Sequence, residues 1–487
     1  MLLKTLVPTL SLAGAAFAAS ADDWRSRSIY QVIVDRFALE DGSNGACNPN
    51  DAVFCGGSWN GLKNKLDYIQ GMGFSAIWIS PVGRALDNTT AYGQGYHGYW
   101  PTSYTDLNSH FGNEDDLKSL SQAVHDRGMY LMVDVVVNHF ASWGDSNVPF
   151  SSFSPLNAEN MFHSKCYITD WSNQEMAEQC WMGDSNVPLP DVNTENDQVV
   201  GLLKDYVSNL VTKYSIDGLR LDAAKSIRKD FWPDFCGAAG VYCTGEAWFN
   251  GVEQLCPYQD YMDSVHNYVM QPYAVNAFKS ASSDAISSLA NVMNSLASSC
   301  KDATLLTSFM ENHDNARMGA VTSDMARLKT FAAITVFSGG VPTVYYGQEQ
   351  AFKGASDPNN REPLWTSGYA TGSDKLYDYF NTLNTLRNFL VKDSSFASAQ
   401  AQYTALSGSV LQIEKSGLRV LLANTGSGQD SSVTVGGWSA NESLVDALGC
   451  THVTADGSGN AHVTVKGGLP VALYPESKLS GLGLCSM

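Results

Sequence analysis

Three acidic residues close runs of apolar side chains in a way that suits chemistry on an uncharged substrate. Asp222 ends Gly218-Leu219-Arg220-Leu221-Asp222, Glu246 follows Val241-Tyr242-Cys243-Thr244-Gly245, and Asp314 ends Glu311-Asn312-His313-Asp314. A fourth segment, Asp134-Val135-Val136-Val137-Asn138-His139, has the same design. Cleaving a glycosidic bond needs a protonated acid at the leaving oxygen and an ionised carboxylate across the ring. That carboxylate acts as nucleophile, with retention, when the two groups stand about 5 to 5.5 Å apart. Arg220 lies two residues before Asp222, so on a strand both side chains share a face and the guanidinium would hold the carboxylate ionised. The same pair also reads as a purely structural ion pair. Trp248, two residues beyond Glu246, offers an apolar wall that would keep this acid protonated near the working pH.

Polar residues just past apolar runs imply parallel strands opening into loops at one end of a barrel. Eight such runs occur: Ile29 to Phe37, Ala76 to Val82, Met129 to Val137, Ile216 to Leu221, Val241 to Thr244, Met262 to Val265, Thr304 to Met310 and Val341 to Tyr346. Helical patterns lie between most of them, as at Asn113 to Arg127 and Gln198 to Tyr214, so the expected fold is an α/β (β/α)8 barrel. The stretch between the third and fourth runs is too long for an ordinary loop and reads as an irregular domain inserted at 139–192, with the barrel at 19–138 and 193–397. Short alternating runs split by Gly and Ser turns predict a C-terminal antiparallel β-sandwich domain over 398–487.

Residues 1–18 have the pattern of a secretory signal peptide, with a Lys after the start, an Ala-rich apolar stretch and Ala16-Phe17-Ala18 as cleavage site. No later run is long enough to span a membrane, and the C-terminus lacks a lipid-anchor tail, so a secreted, extracellular protein is expected. The net charge of −19 repels polyanions and excludes nucleic acid as a partner, although most of the 49 acids read as solvated surface. Ten cysteines in an exported chain predict disulfides. Asn88 and Asn441 head glycosylation sequons.

Taken in order, these segments, together with Arg25-Ser26-Arg27-Ser28-Ile29-Tyr30, Tyr96-His97-Gly98-Tyr99-Trp100 and Tyr346-Gly347-Gln348-Glu349-Gln350, resemble the motif set of the glycoside hydrolase family 13 α-amylases, and most closely its secreted fungal (Taka-type) branch. The resemblance covers almost the whole chain after the leader. It implies Asp222 as nucleophile, Glu246 as acid/base and Asp314 as the third carboxylate, which binds ring hydroxyls. It implies substrate contacts from His97, Tyr99, Trp100, His139, Arg220, Lys225, His313, Asp357 and Arg361. It also implies a Ca2+ site between barrel and insert, from Asn138, Glu178, Asp191 and the backbone carbonyl of Ser226. The resemblance pairs Cys47 with Cys55, Cys166 with Cys180, Cys256 with Cys300 and Cys450 with Cys485; Cys236 and Cys243 have no counterpart and pair by elimination. Ser226 stands where the family has a histidine, and Trp248 where the fungal branch has a smaller aliphatic residue, so an aromatic platform for acceptor sugars is expected there, against the plainer reading of a tryptophan buried behind its strand.

The function so implied is endo-acting hydrolysis of internal α-1,4 bonds in starch and malto-oligosaccharides by a monomer. A glucanotransferase is the rival within the family, since sugar can replace water in resolving a retained intermediate. A non-catalytic carbohydrate-binding barrel is the rival outside it, and the intact carboxylates oppose it.

Overall fold

The computed structural model describes residues 19–487, so the leader reading for 1–18 lies outside the described residues. Eight short strands carry the barrel: β1 (Ile29–Val32), β2 (Ala76–Ile79), β3 (Tyr130–Val135), β4 (Gly218–Leu221), β5 (Tyr242–Gly245), β6 (Ser264–Val265), β7 (Thr307–Ser308) and β8 (Val341–Tyr345). They pair in parallel in the order β6-β5-β4-β3-β2-β1-β8-β7. A parallel bridge between His266 and Thr307 joins β6 to β7 and closes the ring. Most barrel residues are buried on both faces, which is why the strands read as continuous apolar runs.

The runs overstate the strands. Ile29 to Phe37 divides into β1 and a one-turn helix at Val34–Phe37, and Thr304 and Leu305 belong to a 3-10 turn ahead of β7. A short buried apolar run does not by itself distinguish strand from helix. Helix signals are sharper. Asn113 caps Glu114–His125 in a capping box with Asp116, and Asn196 caps Asp197–Tyr214.

The amino end of the barrel is plugged by the helix Ala21–Arg25, whose buried Trp24 stacks on Tyr242 with ring centroids 5.2 Å apart. A Cβ on Gly218 would lie 2.6 Å from that indole, so glycine starts β4 because the plug comes so close. At the carboxyl end the chain leaves after β3 and returns at Asp191 and Val192. The two ends are pinned by a His139–Asp191 bridge and by Val192 N donating to Asn138 O at 2.8 Å. Between them lie the helix Gln174–Gln179 and the hairpin Met182–Gly183 with Pro188–Leu189. Beyond residue 400 a six-stranded antiparallel sheet and a two-stranded ladder (Ser431–Val435 with Ala461–Val465) enclose a separate apolar core.

Four disulfides join Cys47 to Cys55, Cys166 to Cys180, Cys256 to Cys300 and Cys450 to Cys485. The fifth expected bridge is not formed: Cys236 and Cys243 are free thiols. Cys236 is half-buried on the helix Trp232–Ala239, while Cys243 is buried in β5. The two stand close enough that Cys236, after burial, helps push the Cys243 thiol up. Helix and strand packing fix the two Cβ directions independently, and a bridge needs specific geometry between them that counting cysteines does not supply.

Candidate active site

Strand register assembles the centre. Arg220 on β4 lies directly across from Asp134 on β3, and Leu221 across from Gly245 on β5, which sets Glu246 beside Asp222. The ladder continues past the strand ends, with Asp222 N donating to Val135 O at 3.0 Å and Glu246 N to Leu221 O at 2.8 Å. Three carboxylates thus meet one buried guanidinium. Arg220 Nη1 contacts Asp134 Oδ1 at 3.0 Å and Asp222 Oδ1 at 2.5 Å, and Nη2 contacts Glu246 Oε2 at 2.8 Å.

Each acid is held differently. Asp134 is fully inside and also accepts from Tyr99 Oη at 2.7 Å and Trp78 Nε1 at 3.1 Å. Glu246 Oε2 accepts from Ala223 N at 3.1 Å, and Oε1 accepts from Tyr268 Oη at 3.1 Å. Burial raises the pKa of Asp222 well above the usual carboxylate range. Glu246 and Asp134 add to the rise, while Arg220 pulls the other way. One cation among three acids leaves the cluster short of positive charge.

A second group faces it. His313 Nε2 meets Asp314 Oδ2 at 3.1 Å, and Arg361 reaches Asp314 Oδ1 at 3.4 Å, Asp357 Oδ1 at 3.1 Å and the His313 carbonyl at 3.1 Å. Against burial, which works to raise it, His313 and Arg361 hold Asp314 below the usual range. Tyr99 stacks on His313 (4.7 Å, 7°) and lies parallel to His97, while Trp100 meets His97 edge-on at 4.7 Å. Burial pushes the His139 pKa down to about 4, leaving a neutral ring whose Nε2–H donates to Tyr99 O at 3.0 Å.

Beyond Glu246 a cavity of about 430 Å³ is lined by Trp171, Met182, Ala223, Lys225, Ser226 and Trp248. Trp248 is not buried behind its strand. It is 43% exposed and stacks on Tyr268 at 4.6 Å, with the Tyr268 hydroxyl in turn on Glu246. Trp171, from the insert, is 49% exposed, and Lys225 Nζ donates to its carbonyl at 2.9 Å. The sequence reading missed Asp134, Tyr268 and Trp171. Asp134 stood in a quoted motif, but only the β3–β4 register reveals its partner.

The expected cation ligands are partly gathered. Asn138 Oδ1 and Asp191 Oδ1 are buried oxygens without hydrogen-bond partners, the kind of donor a hard cation takes. Burial pushes the Asp191 carboxyl up to about 7, and its Oδ2 is 2.6 Å from His163 Nδ1. Glu178 lies on a helix packed against the turn Ala224–Ser226, and Gln174 ties it to the Lys225 carbonyl with bonds of 2.6 and 2.8 Å. Among the described residues no group of three or more His, Cys, Asp or Glu side chains is poised for a metal, so any site here rests on amide and carbonyl oxygens as well. Asn88 and Asn441 are both exposed.

The family described as "Alpha amylase, catalytic domain" matches residues 31–405, and "Alpha-amylase, domain C" matches 396–487. The chain belongs to the alpha-amylase family. It is 44% identical to alpha-amylase 1 of Schwanniomyces occidentalis over 96% of this chain and 93% of that one, and 43% identical to the alpha-amylase of Saccharomycopsis fibuligera over 95% and 94%. The solved alpha-amylase of Malbranchea cinnamomea superimposes with a TM-score of 0.93 at 40% identity, covering 96% of this chain and all of that one. The barrel and the antiparallel C-terminal sheet are those of an alpha-amylase, and the arrangement above is the candidate centre of an enzyme of that type.

Proposed function

We propose that the protein is a secreted, endo-acting hydrolase of internal α-1,4-glucosidic bonds in starch and malto-oligosaccharides, working with retention through Asp222 and Glu246. The observation that carries this reading is the single guanidinium of Arg220 bridging both acids, which holds them close to each other. Glu246 gives its proton to the leaving oxygen while Asp222 attacks the anomeric carbon, forming a glycosyl ester. Glu246, now ionised, takes a proton from water as that water displaces Asp222. Asp314, His313 and Arg361 meet ring hydroxyls, and the Tyr99–His313 stack forms a wall of the pocket.

The reading divides the chain into a barrel, an insert over 139–192 and a C-terminal domain from 398, acting as a monomer. Four disulfides favour an oxidising compartment, and among the described residues no helix is long and apolar enough to cross a membrane. Asn138 and Asp191, with Glu178 and the Ser226 carbonyl, would hold Ca2+ where insert and barrel meet; the ion would supply structural cross-linking there. Exposed aromatic rings beyond Glu246 favour a secondary capacity to pass the glycosyl group to a sugar.

Proton NMR of a fresh malto-oligosaccharide digest tests the reading. Newly formed α-anomers and a fall in iodine staining ahead of reducing-sugar release are expected. β-anomers, or maltose released one unit at a time with staining preserved, would overturn it.

A further inference from the structure

The seam between the barrel and the C-terminal domain holds a cavity of about 450 Å³ lined by none of the residues of the centre described above. Small-molecule sites run to about 300–1,000 Å³, so it has room for one. The barrel contributes Lys329 from the helix Met325–Phe337 and Tyr379 from the helix Tyr377–Leu390. The C-terminal domain contributes Val463, Val471 and Leu473, which belong to its apolar core, and Lys466, in a turn (Lys466–Gly468) that packs against Met325–Phe337.

Charge here runs against the rest of the chain, whose net charge is −19. Among the described residues neither lysine has an ion-pair partner. Lys329 Nζ lies 5.2 Å from the centroid of the Tyr379 ring, and burial lowers its pKa with no acid opposing the fall. The one carboxylate in the lining, Asp446, is already occupied: it accepts from Ala472 N at 2.8 Å and from Leu448 N and Gly449 N at 3.1 Å. His452 and His462 also line the cavity, but each faces an acid of its own, Glu476 at 3.5 Å and Asp456 at 3.9 Å. Tyr379 Oη is the opposite case, a buried hydroxyl with no hydrogen-bond partner, which is costly until an acceptor reaches it. Leu469 lines the same space and is 45% exposed, so part of the apolar wall stands in water. A neutral apolar guest would leave both lysines and the hydroxyl unanswered, and a bare inorganic anion would leave that wall wet.

We propose that this cavity binds an amphiphilic monoanion, a carboxylate on an alkyl chain, with the carboxylate answered by Lys329, Lys466 and Tyr379 Oη and the chain covering Leu469, Val471 and Leu473. Because its lining is drawn from both domains, the guest would tie two barrel helices to the C-terminal domain and stabilise the folded chain as any ligand of the native state does.

The test is calorimetric titration of the full-length protein with decanoate below its micelle concentration, with acetate and decanol as controls. Decanoate should bind saturably at one site and raise the melting temperature, while acetate, which lacks the chain, and decanol, which lacks the charge, bind far more weakly. Lys466 is exposed, so Lys466→Glu changes the charge without disturbing packing. That variant should weaken decanoate by roughly tenfold, and Lys329→Met/Lys466→Glu should weaken it further. Absence of saturable binding overturns the proposal, as does an unchanged affinity in Lys466→Glu, which would put the ligand elsewhere. Acetate binding as well as decanoate would reduce the site to a simple anion hole, and decanol binding as well would reduce it to a plain apolar groove; either result also overturns it. The readout is binding and melting, so it does not depend on whether the chain degrades starch.

Discussion

Arg220 and Arg317 are both fully buried and both bonded to acids near strand ends, but their surroundings differ in one countable respect. Arg317 serves two carboxylates, Glu311 at 3.1 Å and Glu362 at 2.6 Å, and also donates to the Tyr346 carbonyl at 2.7 Å. Those acids are tied to backbone as well: Glu311 Oε2 takes Met318 N at 2.6 Å, and Glu362 Oε1 takes Lys353 N at 3.1 Å and Gly354 N at 2.7 Å. Arg220 serves three carboxylates, and two of them turn toward the cleft. The first cluster is closed and structural. The second is open and has one cation for three acids, an imbalance more typical of a functional cluster than of a structural one.

The largest effect should come from breaking the open cluster. Glu246→Gln and Asp222→Asn remove proton donor and nucleophile with little change of shape, so kcat on starch should fall on the order of 10⁴-fold or more. Melting temperature should hold or rise, because each change relieves the crowding of negative charge. A loss of only a few-fold in either variant would dismiss these residues from the chemistry.

Breaking the closed cluster should act on stability instead. Arg317→Met strands Glu311 in the interior, a change that costs about 3–5 kcal/mol in buried ion pairs. Burial already pushes the Glu311 carboxyl up to about 7 against an unfolded value of about 4.3. The folded state therefore binds that proton more tightly, and stability drains away as pH rises through this window. Without Arg317 the folded pKa climbs further, so the deficit should be greatest at neutral pH and shrink toward pH 4.5. Denaturant unfolding at the two pH values checks this, and a deficit independent of pH would mean that lost packing, not stranded charge, is the cause.

Asn138 Oδ1 and Asp191 Oδ1 mark a third region, of buried oxygens without hydrogen-bond partners. Long incubation with a chelator should lower the melting temperature, and added calcium should restore it. A ligand present at about a hundred times its Kd contributes about 2.7 kcal/mol to the folded state. No shift, even in Asn138→Ala against the parent, would remove calcium from this place.

The open cluster was largely legible in the sequence, because a strand's two-residue period sets Arg220 and Asp222 on one face without any tertiary knowledge. The third acid was not, since Asp134 finds Arg220 only through register across β3 and β4. Glu311 stands in the same motif as Asp314, and nothing local shows that it turns inward to Arg317 while Asp314 meets His313 and Arg361. β6 and β7 are two residues each, too short for a periodic signal, and their position comes from ring closure. Trp171 reaches the cleft from the irregular insert, where no period exists to reveal a facing.

The smallest expected effect concerns Trp248 and sharpens how the open cluster is used after its first step. The indole stacks on Tyr268, whose hydroxyl bonds to Glu246, and it also lines the cavity shared with Trp171. On the proposed mechanism, an acceptor sugar held there would compete with water for the glycosyl ester. Its attacking hydroxyl gives its proton to the same Glu246, so both outcomes branch from one intermediate. The ratio of transfer to hydrolysis therefore reports acceptor binding and is insensitive to how fast the ester forms. An aromatic contact is worth about 0.5–1.5 kcal/mol beyond area burial, which converts to roughly two- to twelvefold. Trp248→Leu should lower the transfer ratio at high maltose by that factor, read by chromatography of products longer than the donor. An unchanged ratio would show that the exposed indole face does not meet sugar and that Trp248 serves only to hold Tyr268 against Glu246.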